Sequence, residues 1–123
     1  MIPEVYQLWS NAICAVIKSD RSVHQAEWIA LNERLSKKDL SDFGLDKTVL
    51  LTKIQEGLKD DSLDAEQHFQ IVLLIMKEFT GHLEHSFFKT LFKYCKIVAL
   101  EVNQMNKSEL IILSRLDQAF KKF

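Results

Sequence analysis

Apolar side chains recur at three- and four-residue intervals along most of the chain, and no stretch sustains the strict alternation of a half-buried strand. This spacing predicts six helical segments. The first covers 3–18, with Pro3 tolerated in the opening turn and Val5, Leu8, Trp9, Ala12 and Val16 on one stripe. The second covers 24–37 and buries Trp28, Leu31 and Leu35. The following KKDLSDFGLD reads as a polar connector, with Gly44 for its turn and Asp46 to cap the next helix. The third segment, 47–58, aligns Leu50, Ile54 and Leu58 on one face, and KDDS makes a charged turn after it. The fourth, 63–80, contains IVLLIM and is greasy around most of its circumference, so it is expected to be the central helix, stopped by Gly81. The fifth, 84–101, places Phe88, Leu91, Phe92, Cys95 and Val98 together, and the sixth, 107–120, carries Leu110, Leu113, Leu116 and Phe120.

Composition strengthens the all-helical reading. One Pro and three Gly in 123 residues compare with an average near 12% for the two combined. The expected architecture is all-α, a compact bundle of about six to seven helices forming a single domain over 1–123. Sixteen basic and seventeen acidic side chains give a net charge of −1, which lacks the basic footprint of a nucleic-acid-binding domain. The longest apolar runs, 12–17 and 71–76, are far shorter than the roughly 20 residues a bilayer requires. MIPEVYQLWSN has neither a basic region nor a small-residue cleavage site, so a cytoplasmic setting is expected. Cys14 and Cys95 each lie in an apolar helical stretch and read as buried, inert thiols.

The two ends of the chain echo each other. ICAVIKSDRSVHQAEWIAL (13–31) aligns with CKIVALEVNQMNKSELIIL (95–113), pairing Val16 with Val98, Val23 with Met105, Glu27 with Glu109, Ile29 with Ile111 and Leu31 with Leu113. Each copy is an apolar helix, a turn with one aliphatic residue, and a Glu in the first turn of the next helix. In this frame the chain resembles the tellurite-resistance TerB-like family. Asp20, Arg21, Val23, His24 and Glu27 stand at the motif positions of the first junction, and Val102, Asn103, Met105, Asn106 and Glu109 at those of the second. Arg21 replaces the family's Gly, and Val102 replaces its second Asp. The resemblance implies a helical domain with a pseudo-duplicated helix-turn-helix core and a non-enzymatic role in stress or tellurite-resistance systems. It also implies an accessory place beside membrane-anchored or chaperone proteins, and divalent-metal binding through acidic motif residues.

Asp20, Glu27, Glu101 and Glu109 are the candidate ligands for such a cation, whether Ca²⁺, Mg²⁺, Mn²⁺ or Zn²⁺, if the two junctions lie side by side. A calcium loop starting at Asp20 fails, because Gln25 occupies the Gly position and Leu31 that of the bidentate Glu. Capping is the simpler role for Glu109, three residues after Asn106, since such a Glu reaches back to the cap and suits the helix dipole. GHLEH (81–85), with Glu78 one turn earlier, supplies too few ligands for zinc and reads as a solvated connector. Nucleophile elbow, phosphate loop and dinucleotide fingerprint are all missing, which argues against an enzyme. The second helix sets Glu27 and Glu33 against Arg34, Lys37 and Lys38, which suits DNA poorly.

Lys89, Lys93 and Lys96 form a basic stripe at helical spacing, suited to an acidic partner or to lipid headgroups, although such stripes are commonly just solubilising. The expectation is therefore a binding or scaffold module with a protein partner, in a stress-related or peripheral membrane assembly. The alternative is a small immunity or regulatory protein acting by surface contact.

Overall fold

The computed structural model describes residues 2–19, 25–79, 83–100 and 107–122, with the side chains of residues 2 and 25–27 outside that description. Within it the chain is all-α. Seven helices follow in order: α1 (Ile2–Lys18), α2 (Gln25–Arg34), α3 (Lys37–Ser41), α4 (Lys47–Lys59), α5 (Ala65–Glu78), α6 (His85–Leu100) and α7 (Lys107–Lys122). The described residues contain no strand, and none of their helices is long and apolar enough to cross a membrane.

The axis of the bundle is α1, whereas the pattern had favoured the IVLLIM helix. Ala12 through Val16 are consecutive and fully buried, and residues that advance 100° each can all be buried only if neighbours surround the helix. Helices α4, α5, α6 and α7 all pack on α1. Small side chains explain this: Ala12, Cys14 and Ala15 let the neighbours come close. At the α1–α4 crossing the approach is close enough that a Cβ on Gly57 would lie 2.8 Å from Cys14 Sγ. By contrast, α5 buries one face through His68, Phe69, Val72 and Met76 while Leu74 is 61% exposed.

The polar connector contains a helix of its own. Ser36 caps α3 by accepting from Asp39 N at 3.2 Å, and Leu40 and Leu45 on either side of the turn are buried. Tyr94 pins this unit, its hydroxyl accepting from Ser36 N at 3.1 Å and donating to Asp39 Oδ2 at 2.7 Å. Gly44, at φ 75°, makes the left-handed turn that follows. Asp46 caps α4 as expected, accepting from Val49 N at 3.0 Å, and its own N–H donates to Tyr6 Oη at 2.7 Å. A reciprocal capping box between Asp64 and Gln67 starts α5 at Ala65, two residues later than the apolar pattern suggested.

Aromatic rings run through the core from α1 to α7. Trp9 touches Phe87 and Tyr94, Phe87 meets Phe43 and Phe88 edge-on, and Phe88 stacks on Phe120 at 5.4 Å. The last of these contacts fixes the seam between α6 and α7.

Candidate partner-binding groove

Helix α6 divides its circumference between two tasks. Phe87, Leu91, Tyr94, Cys95 and Val98 face the core, which leaves His85, Lys89, Lys93 and Lys96 on the outside, at intervals of four, four and three residues. Residues so spaced lie one above the other on a helix. The C-terminal half of α7 lies beside this ridge, because Phe120 stacks on Phe88 and meets Phe92 edge-on. Between the two helices is a half-open groove of about 420 Å³. Its floor is Phe88, Phe92 and Phe120, and its far rim is Asp117 and Lys121.

Four lysines and one aspartate line this groove, in a chain whose net charge is −1. The four cations differ in how far the fold already uses them. Lys121 is paired with Asp117 at 2.9 Å, and Lys93 with Asp39 at 3.4 Å. Asp39 also receives the Tyr94 hydroxyl, and that bond, more than Lys93, holds its carboxyl below the usual carboxylate range. Lys89 and Lys96 make no ion pair among the described residues; the Lys96 ammonium lies 5.4 Å from the Phe92 ring centre. Positive charge is therefore left over beside an aromatic floor.

Two other surface grooves also carry basic side chains, and the one between α5 and α7 is lined by Lys77, Arg115 and Lys122. Arg115 borders both, the second lying near the start of α7. It is clamped by both carboxylate oxygens of Glu66 and lies 4.1 Å from the Phe69 ring centre. Lys18, at the second of these grooves, is directed inward. Its ammonium donates to Asp60 O at 3.0 Å, Leu63 O at 2.8 Å and His68 Nε2 at 3.0 Å.

That last bond belongs to a buried polar chain that the sequence pattern did not reveal. Asn11 Nδ2 donates to Gln7 O at 2.8 Å, which orients the amide and leaves its oxygen facing His68 Nδ1 at 2.7 Å. Nδ1 must then carry the proton and Nε2 must accept from Lys18, so the ring is neutral. Burial, then the neighbouring Lys18 charge, depress the His68 pKa to about 4. The sequence signal was polar residues at inward positions, Asn11 within LWSNAICAVI and His68 beside Phe69, but nothing in it pairs sites 57 positions apart. Burial also pushes both cysteine thiols up to about 12, which suits buried, unreactive sulfur.

No family model, curated protein or solved structure matches this chain.

Of the four candidate metal ligands, Asp20 and Glu101 lie outside the described residues, and Glu27 is in α2 with its side chain outside them. Glu109 is in the first turn of α7 and only 2% exposed. It faces inward because the buried stripe of α7 runs through Glu109, Ile112, Leu113, Leu116 and Phe120, and the same phase turns Leu110 out to 59% exposure. The pattern had placed Leu110 inside. Val23, His24, Gly81, His82 and Asn106 also lie outside the described residues. Among the described residues no three His, Cys, Asp or Glu side chains gather closely enough to hold a metal ion. His85, at the start of α6, instead extends the lysine ridge, while Glu78 ends α5 on the surface.

Proposed function

We propose that this chain is a non-enzymatic helical binding domain, TerB-like in plan, that holds an acidic protein partner against the α6–α7 face. The observation that carries this reading is the groove in which Lys89 and Lys96, unpaired among the described residues, flank an aromatic floor. Exposed cations beside desolvated apolar surface give a partner both electrostatic steering and an anchoring pocket. The stress-related or membrane-associated assembly belongs to the same proposal and rests on the resemblance at the two junctions, whereas the cytoplasmic setting proposed with it rests on the reading of MIPEVYQLWSN.

The test is binding of fluorescein-labelled poly-L-glutamate, followed by anisotropy, to the wild type and to a Lys89→Glu, Lys96→Glu double variant. Lys93 is kept, because it neutralises Asp39 beside Tyr94. The wild type is expected to bind, and the variant to bind at least about tenfold more weakly, a loss within the range for close charge pairs at an interface. Equal binding by both proteins would place the contact elsewhere.

A further inference from the structure

The nitrogen-bearing side chains of α6 in this groove form a ladder, three of them lysines, and that arrangement restricts what can occupy it. His85, Lys89, Lys93 and Lys96 climb α6 at about one residue per turn, covering roughly 16 Å of helix axis. A single phosphate or carboxylate is best held by donors that converge on one point, whereas these diverge along a line. A complementary ligand repeats its negative charge at the same interval, as Asp and Glu do when placed one turn apart on a helix. Beside the ladder runs the trough floored by Phe88, Phe92 and Phe120, the kind of seat that takes the apolar stripe of an amphipathic helix.

We infer that the α6–α7 groove receives an acidic amphipathic helix from a partner protein, its apolar stripe on the phenylalanine floor and its Asp or Glu side chains against Lys89 and Lys96, with Lys93 between them already paired with Asp39. This inference rests on the reading of the α6–α7 face as the binding surface and specifies the partner's form. A lipid surface fits the groove less well. Binding at a membrane interface needs apolar side chains that project into the acyl region, but Phe88 and Phe120 are buried in the floor. The large apolar side chains that do project, such as Leu74, Leu100 and Leu110, are not part of this groove. A second copy of the chain also lacks complementarity, since none of the described helices carries three acids at one-turn spacing.

The experiment is selection from a displayed library of helical peptides about 18 residues long, near five turns, with every outward position randomised and the wild-type protein as bait. Enriched peptides are expected to carry Asp or Glu one turn apart beside an apolar stripe and to gain helical circular dichroism on binding. They should bind the wild type at least about tenfold more tightly than shuffled peptides of the same composition, and lose that advantage on the Lys89→Glu, Lys96→Glu variant. A Lys89→Gln, Lys96→Gln variant serves the same purpose should the reversed charges disturb folding. Equal binding by shuffled peptides would overturn the helical occupant while leaving the acidic-partner reading intact. Failure to enrich, or enrichment of neutral or basic peptides, would overturn both. Stronger capture by phosphatidylserine vesicles than by any peptide would assign the face to lipid. Sedimentation showing a dimer that the double variant abolishes would assign it to a second copy.

Discussion

Lys18 and Lys89 are both exposed in the linear pattern, each at the polar edge of an apolar helix, yet the fold uses them in opposite ways. The ammonium of Lys18 is consumed by two backbone carbonyls and the His68 ring, and so ties the α4–α5 turn to α1. Lys89 has no acid to pair with among the described residues and stands over a trough of phenylalanine. A cation whose donors are satisfied from within supports the fold, and one left unsatisfied beside apolar surface is available to a ligand. The consequence is that damage at the Lys18 network should appear as lost stability, and damage at the ladder as lost binding.

The inner network should have the largest effect, through pH. His68 takes up a proton near 6.5 in the unfolded chain but only at about 4 in the fold. As pH falls through this interval the unfolded state gains a proton that the folded state refuses, so stability is full above 6.5 and declines below it. The decline should reach about 3 kcal/mol by pH 4. Urea unfolding at a series of pH values should show it, and His68→Gln should flatten the portion between pH 6.5 and 5. An unchanged slope in the variant would remove His68 from the account.

Next in size is Lys18→Met, which keeps the aliphatic stem but strands two carbonyls and a ring nitrogen. It should cost about 2 kcal/mol with no effect on acidic ligands.

Gly57→Ala comes third, because its Cβ meets Cys14 Sγ at 2.8 Å. The overpacking should cost about 1–2 kcal/mol. In a Cys14→Ala background most of that cost should vanish, and simple additivity in the double-mutant cycle would contradict the close approach of α1 and α4.

The smallest effect on stability belongs to Lys89→Met, within about 0.5 kcal/mol. A loss comparable to that of Lys18→Met would erase the distinction between the two lysines.

Much of the helical plan was legible because it is local. Asp46 caps α4 through a residue three positions away, the Leu50 and Ile54 face is a single-helix pattern, and Lys89, Lys93 and Lys96 fall on one side of α6 by spacing alone. The remainder depends on which neighbour covers which face. IVLLIM looked more central than AICAVI because its side chains are larger, but smallness is what allows α1 to be surrounded. Helix α3 hid in a polar stretch, since its stability comes from Tyr94, more than fifty positions away, and from one buried Leu40. Half of the groove was visible as a lysine stripe. The other half, Phe120 with Asp117 and Lys121, joins it only through the packing of α7 on α6. Phase accounts for the inward turn of Glu109 and the outward turn of Leu110, two adjacent residues that a shift of 100° exchanges.

The most direct test of the central claim is an amide chemical-shift map of the ¹⁵N-labelled protein titrated with a selected acidic helical peptide. Perturbations are expected along α6 from His85 to Lys96 and on α7 from Asp117 to Lys122, with α4 and the Asn11–Lys18–His68 network unmoved. Shifts centred on α4 or α5, or none in α6, would contradict it.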